Sequence, residues 1–424
     1  MLTAISRYGV RMPPGVREII RQCRRRSQFI QGPHIQEFER SFEKRLGTGV
    51  AITTSYGRTA FYHMLRALDL PAGSEIVIPA LTFWVIPELA RTAGLRPVFA
   101  DIDPATFTLD PAALERAITP NTRAVVPTHL YGLPCDMHAI MSIAQRHRLA
   151  VIEDCAHALG ATFRGQPVGT FGDGALFSFQ TLKPLNAFGG GMAVVRDPAV
   201  ARRLRDEVNA LPWPDESRVI NRFKIGHLQR FFARPAVFTI TGFPILWVAS
   251  WLNASPDVYL WEPIRRLDPM PAAYMERMPN VQAAIGLAGL DLLDHWTATT
   301  RAHARSLDEA LRGEPHIEIP AVPPARVHVY YQYCLYAPDR DSFVRRCIRR
   351  GVDIETLHVD VCTEVPLFAD LAPAPAPGAH RAADAVQIPV YASLSDQQVR
   401  RTARTIRRAV RQTARARLAT HVKV

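Results

Sequence analysis

From Val50 to Val195 the chain alternates short, nearly continuous apolar runs with longer stretches whose apolar residues recur every three or four positions. The runs Val50–Thr53, Glu75–Ile78, Pro97–Ala100, Ala124–Pro127, Ala150–Glu153, Ala175–Phe179 and Met192–Val195 read as strands. Thr59–Leu68, Pro111–Ala117 and Asp136–His147 read as helices between them. Continuous apolar runs belong to strands buried on both faces, and their alternation with helices predicts an α/β fold around a mostly parallel, seven-stranded sheet. In such sheets ligands gather beyond the carboxyl ends of the strands, so the residues just after each run are the first candidates for chemistry.

Beyond about Arg196 the pattern changes. Residues 205–275 are rich in aromatics and prolines. From Asn280 onward helical periodicity returns in VQAAIGLAGLDLLDHW and DRDSFVRRCIRRG, accompanied by the strand-like pieces VHVYYQYCLYA and AVQIPVY. A chain of 424 residues exceeds one ordinary core. The expected organisation is a large domain over residues 1–204, an insert over 205–275, and a smaller C-terminal α+β domain over 276–424.

Composition narrows the partners. Charged residues make up 21% and hydrophobic ones 48%, which excludes bulk disorder. An excess of 51 Lys and Arg over 39 Asp and Glu gives a formal charge of +12, which favours anionic partners. No stacking or groove-reading motif accompanies that charge, so no nucleic-acid partner is expected. None of the 6 cysteines forms a C-x-x-C pair, and no Cys/His cluster has zinc spacing. The expectation is a cytoplasmic protein with reduced thiols and no metal. The N-terminal MLTAISRYGVRMPPG lacks the apolar core of a secretory signal.

The stretch from Glu153 to Val195 carries the chemistry. One strand ends in the acidic pair Glu153–Asp154. Another ends at Ser178, five positions before Lys183, and the run Gly189–Gly190–Gly191 leads into the next strand. A carboxylate at one strand end and an amine after another suit a site that needs both within a few ångströms. A lysine near other cations or in an apolar pocket becomes a nucleophile, and pyridoxal phosphate needs both a lysine and an acid for its ring nitrogen. By themselves a loop lysine is more often a solvated charge, and an aspartate at a strand end more often a cap.

The stretch resembles the DegT/DnrJ/StrS family of pyridoxal-phosphate-dependent sugar aminotransferases of fold type I. The matching segments are Glu153–Asp154–Cys155–Ala156–His157–Ala158–Leu159–Gly160, then Gly172–Asp173, then Phe177–Ser178–Phe179 through Lys183. Similar wording extends from Gly32–Pro33 and Phe38–Glu39 through EIVIPALTFW, RPVFADIDPATFTLD and VVPTHLYGLPCDM to QIPVYASLSDQQV. Ordered co-occurrence of this kind is far more specific than any single motif. The resemblance implies that Lys183 is the Schiff-base lysine and moves the proton between substrate and cofactor carbons. It implies that Asp154 pairs with the pyridinium nitrogen, that His157 lies beside the phenolic oxygen, that Phe83 stacks on the ring, and that Ser178 donates to the phosphate. Gly57, Arg58 and Thr59, after Tyr56 at a helix start, are expected to complete the phosphate site, where backbone N–H groups and the helix dipole favour an anion. The resemblance further implies a homodimer, L-glutamate as amino donor and a keto-sugar acceptor, nucleotide- or lipid-linked, in cell-surface glycan or lipid biosynthesis. A dehydratase branch of the family carries His at the lysine position, and Lys183 argues against it. A catalytically silent, cofactor-binding regulator is the alternative of a different class.

The sequence departs from the family in places. Met275 stands where members often have an Asn that reaches the phosphate, and Arg58 stands where they often have Thr, so Arg58 is expected to replace the missing donor. Phe188 precedes the three glycines where members carry Gly-Glu-Gly-Gly, and Tyr331 takes the place of a frequent His.

Between Pro235 and Pro256 there is no charged residue, a length that matches the ~20 apolar residues of a membrane span. Pro244 interrupts the run, and both flanks are basic, with Arg218, Arg222, Lys224, Arg230 and Arg234 before and Arg265 and Arg266 after. Both ends then lie on the same, cytoplasmic side of an anionic membrane surface. A helix–Pro–helix hairpin lying in the interface fits, with peripheral attachment to the membrane. The alternative is a buried helical pair at a dimer interface or over the active site. Arg400, Arg404, Arg408, Arg411 and Arg415 recur at helical spacing, either as a lipid-facing stripe or as a solvated helix face.

Overall fold

The computed structural model describes residues 3–252, 263–356 and 359–421. All seven apolar runs form strands of one sheet: β1 (Val50–Thr54), β2 (Glu75–Pro79), β3 (Arg96–Ala100), β4 (Thr122–Val125), β5 (Ala150–Asp154), β6 (Gly174–Ser178) and β7 (Gly191–Val195). Their order is β1-β7-β6-β5-β4-β2-β3. Neighbours from β6 to β3 run parallel, and β7 alone is antiparallel, to both β1 and β6. The carboxyl ends of six strands and the start of β7 therefore share one edge. Helices cover both faces, and the apolar side chains of β2, β6 and β7 are buried throughout.

Two local choices shape that edge. Thr54, Gly191 and Ser178 lie in register across β1, β7 and β6, which brings the start of helix α1 (Gly57–Leu68) against the end of β6. That approach requires bare backbone. A Cβ on Gly191 would stand 2.3 Å from the Gly57 nitrogen, and one on Gly57 would stand 2.8 Å from the Phe177 oxygen. Helix α1 begins where it does because Thr59 closes its first turn: its hydroxyl accepts from the Tyr56 N–H at 3.0 Å and donates to the Tyr56 carbonyl at 2.8 Å.

The expected boundaries shift. A helix over Pro198–Ala210 runs through the 204/205 division, and its Leu204 and Val208 belong to the same core as the sheet. Asp197 sets its start by accepting from the Ala199 and Val200 N–H groups ahead of Pro198. Asn280–Leu290 packs against the helix His34–Leu46 and not into the C-terminal unit, because Ala283 and Leu290 join the core that holds Phe38 and Phe42. The C-terminal unit is built from the helices Leu293–Leu311, Arg340–Ile348 and Asp396–His421 with an antiparallel pair of strands, Tyr333–Leu335 and Val386–Ile388. The N-terminal Ile5 joins this second core. The arginine stripe of Asp396–His421 is exposed, and Arg411 and Arg407 hold the buried Glu314 carboxylate.

The uncharged run forms two helices after α2 (Glu216–Phe232): α3 (Pro235–Ile240) and α4 (Gly242–Trp251). The break lies at Thr241, not at Pro244. Pro244 sits in the first turn of α4, where a missing N–H costs no helical hydrogen bond. Residues 253–256 of the run lie outside the described residues. No described helix is long and apolar enough to cross a membrane. One side of the hairpin docks on the second core through Phe243 and Leu246, and Arg349 clamps its end by donating to the Ser250 carbonyl at 2.5 Å and lying 3.7 Å over the Trp251 ring. The other side leaves Ile240, Val248 and Leu252 exposed.

Candidate active site

The shared sheet edge opens into a cavity of about 300 Å³ whose walls include Gly57, Arg58, Phe83, Asp154, His157, Ser178 and Lys183. Seven of the eight residues singled out from the sequence thus meet in one place. The eighth, Thr59, is fully buried beneath it, and its hydroxyl is spent on the first turn of α1 and on Ser55 at 3.1 Å. It builds the cradle and does not line it.

Strand alternation sorts the acidic pair. Asp154, the last residue of β5, faces the cavity, with one oxygen accepting from the Ala156 N–H at 3.0 Å. Burial pushes its carboxyl above the ordinary carboxylate range, while the Ala156 N–H, Lys183 and His129 pull it back. Glu153 points the other way. It accepts from the Gly169, Phe171 and Gly172 N–H groups at 2.8, 2.7 and 2.8 Å and meets His129 Nε2 at 3.0 Å, so it pins the loop that precedes β6. His129, Glu153 and Cys155 place ligand atoms within 4.8 Å of one another, but His129 Nδ1 accepts from the Cys135 N–H and burial pushes the Cys155 thiol up to about 12. His129 and Glu153 are already engaged in holding backbone.

Lys183 is half-buried in the cavity wall, with its amine 5.0 Å from the centre of the Tyr331 ring. Desolvation lowers its pKa to about 8. Asp154 opposes that shift and Arg58 adds to it. The amine is therefore poised to lose its proton near neutrality. Tyr331 lies stacked on His157 with ring centres 4.2 Å apart and planes 19° from parallel, and Tyr131 lies near-parallel to His157 at 6.5 Å. The residue that replaces the family's frequent His thus remains in the site.

Arg58 is aimed by aromatic rings. Its guanidinium lies 5.2 Å from the Phe83 centre, 5.1 Å from that of Tyr274 and 5.7 Å from that of Tyr56, and it donates to the Tyr274 hydroxyl. It shares the cavity with Ser178 and the first N–H groups of α1. Met275 does not line the cavity, whereas its neighbour Tyr274 reaches Arg58. Phe188 packs on α2, stacked on His227 at 5.2 Å and edge-on to Phe223 at 5.1 Å, so the residue at the head of the glycine run here fastens the insert.

Other wall residues escaped the sequence reading. Thr128 follows β4 and Gln180 lies between Ser178 and Lys183, both findable from the strand-end rule. Gln229 comes from α2, where nothing in the pattern distinguishes it from a solvated glutamine.

The pattern of the DegT/DnrJ/EryC1/StrS aminotransferase family matches residues 15–230 and 250–407. The chain belongs to this family. A UDP-N-acetyl-3-dehydro-α-D-glucosamine 3-aminotransferase of Acidithiobacillus ferrooxidans is 31% identical over 90% of this chain and 90% of its own. A pleiotropic regulatory protein of Geobacillus stearothermophilus is 30% identical over 93% and 94%. The crystal structure of S. venezuelae DesV in complex with a ketimine intermediate superposes with a TM-score of 0.74 at 27% identity over 93% of each chain. The fold is that of fold type I pyridoxal-phosphate aminotransferases, and the cofactor is pyridoxal phosphate. The cavity fits that group: its lining brings together an anion cradle at the start of α1 with Arg58 and Ser178, the Asp154 carboxylate, and the Lys183 amine of lowered pKa.

Proposed function

We propose that this DegT/DnrJ/EryC1/StrS member transfers an amino group from L-glutamate to a keto sugar during cell-surface glycan or lipid biosynthesis. The observation that carries the reading is the meeting of the Lys183 amine and the Asp154 carboxylate in one cavity, with the amine's pKa lowered to about 8. Pyridoxal phosphate, when bound, supplies a carbonyl carbon for the incoming amine and a ring that withdraws electrons from the substrate carbon. The chain's own residues do the rest. Lys183 takes and returns the proton at the substrate carbon. Asp154 would hold a proton on the ring nitrogen, with the Ala156 N–H, Lys183 and His129 favouring its carboxylate against the cost of burial. Arg58, Ser178 and the α1 N–H groups hold the phosphate, Phe83 and His157 close the cavity walls, and Tyr331 backs His157.

The sugar acceptor is supported by the name of the Acidithiobacillus relative. A homodimer is supported by the family resemblance, and attachment to an anionic membrane surface by the exposed apolar side of α3 and α4 between basic flanks. The test is the half-reaction: purified protein with L-glutamate and no acceptor should release one equivalent of 2-oxoglutarate per active site and lose its visible absorbance, and Lys183→Ala should do neither. The second reading, a silent regulator, is favoured by the name of the Geobacillus relative. It requires cofactor binding without 2-oxoglutarate release, so the same measurement decides between the two.

A further inference from the structure

A second and larger cleft, of about 730 Å³, runs between α2 and the α3–α4 hairpin. Its walls are apolar: Ile225, Leu228 and Phe232 from α2 face Phe238, Ile245 and Leu246 from the hairpin. The charged groups at its floor are engaged by partners. Arg7 forms an ion pair with Asp353 at 2.7 Å, and Glu355 accepts from the Tyr8 hydroxyl and from Gln332 at 3.1 Å. A water-filled polar channel would leave such groups open, whereas a cleft for hydrocarbon requires them closed. The volume lies within the range of small-ligand sites, ~300–1,000 Å³.

Two observations say what the cleft serves. First, it adjoins the catalytic cavity, because Leu182 and Gln229 line both. Leu182 is the residue next to Lys183, so a chain lying in the cleft ends beside the reacting amine. Second, the family pattern does not extend over residues 231–249, which form most of the hairpin. A segment outside the shared pattern that borders the active site is placed to act on the substrate and not on the common fold.

We propose that the cleft holds the hydrocarbon chain of a lipid-linked sugar acceptor, with the keto sugar reaching past Gln229 and Leu182 to Lys183. The inference rests on the aminotransferase reading and narrows its acceptor from nucleotide-linked to lipid-linked. Exposed apolar walls, with Leu228 at 54% and Ile245 at 66% exposure, are then covered in the substrate complex.

The experiment uses the holoenzyme and a series of hexyl, octyl and decyl glucosides below their micelle concentrations, with free glucose and uridine diphosphate as comparisons. Calorimetry should show affinity rising about fourfold for each added methylene, the burial value for a CH₂ group, and no measurable binding of glucose. Leu228→Asp and Ile245→Asp, both at exposed positions, should weaken decyl glucoside at least tenfold. Val248→Asp, on the hairpin but outside the cleft, should leave it unchanged. Binding without chain-length dependence, or equal loss in Val248→Asp, overturns the proposal. So does tight binding of uridine diphosphate with none of the glucosides. If Leu228→Asp and Ile245→Asp instead turn a dimer into monomers without altering glucoside affinity, a second copy of this chain fills the cleft and the proposal fails. The glutamate half-reaction, which needs no acceptor, is run on every variant. Its survival alongside lost glucoside binding separates failure of this inference from failure of the aminotransferase reading.

Discussion

Lys183 and Tyr331 are coupled across the cavity: the lysine amine lies 5.0 Å from the centre of the Tyr331 ring, which also stacks near-parallel on His157 at 4.2 Å. An aromatic face beside an amine attracts its charged form, yet burial still brings the pKa down to about 8. The aromatic residue therefore orders His157 and the lysine together without holding the lysine permanently protonated. Tyr331→Phe keeps both ring contacts and should retain most of the wild-type half-reaction rate. Tyr331→Ala removes them, and should slow the half-reaction far more than it lowers the amount of cofactor bound. Equal effects of the two substitutions on rate would mean that the hydroxyl, not the ring, does the work.

Reconstitution should report the charges around Lys183. Only the neutral amine attacks the cofactor carbonyl, so the rate of return of visible absorbance after adding pyridoxal phosphate to stripped protein should rise with pH and level off above about 8. Asp154 raises the lysine pKa and Arg58 lowers it. Asp154→Asn should move the inflection to lower pH and Arg58→Ala to higher pH. Shifts in the same direction would refute the electrostatic arrangement. Lys183→Ala should lose turnover by at least the ~10²–10⁴-fold that a positioned proton-transfer group contributes.

Arg58 should govern cofactor retention more than chemistry. A charged hydrogen bond to a phosphate is worth about 1.5–3 kcal/mol, so Arg58→Ala should weaken cofactor affinity ~10–150-fold while saturating cofactor restores much of the half-reaction. Arg58→Lys keeps charge but loses the planar stack on Phe83 and Tyr274, and should fall between. Equilibrium dialysis measures this. Unchanged retention in Arg58→Ala would place the guanidinium's role elsewhere.

Glu153 gives a prediction about stability. It is fully buried and accepts from three backbone N–H groups and His129. Glu153→Ala leaves those donors in a dry interior, and should cost about 3–5 kcal/mol in urea unfolding of the holoenzyme. Asp154→Asn, one residue away, should cost much less stability and much more activity. Comparable unfolding midpoints for the two variants would remove the distinction.

That neighbouring pair shows how much could be read beforehand. All seven strands were legible because buried parallel strands are continuous apolar runs, and the strand-end rule led to Asp154, Ser178 and Lys183. Which acid of the pair faces the cavity depends on strand phase, and that is fixed by packing on both faces at once. The role of Thr59 was hidden because a hydroxyl at the third helical position can serve a ligand or its own first turn equally well. Gln229 reaches the site only through the tertiary placement of α2, which no local pattern encodes. The 204/205 position falls inside one continuous helix for a related reason: Leu204 and Val208 lie on its apolar face, which serves the sheet's core.

The α3–α4 hairpin has two sides, and membrane attachment should depend on only one. Phe243 and Leu246 are partly buried against the second core, so their replacement by Ser would test folding and not membrane binding. Ile240 and Leu252, at 77% and 72% exposure, touch little protein, and Val248 also faces outward. The wild type should sediment with vesicles of phosphatidylcholine and phosphatidylglycerol. In 1 M salt the screening length falls to about 3 Å, which removes the attraction of the flanking arginines and leaves the apolar part. Binding should therefore weaken with salt but persist. Ile240→Ser, Val248→Ser and Leu252→Ser combined should abolish the salt-resistant fraction while unfolding stability and cofactor absorbance stay at wild-type values, because none of the three supports a core. Failure of the wild type to sediment at low salt would end the membrane reading. The Lys183 chemistry would be untouched, since its geometry owes nothing to the exposed side of the hairpin.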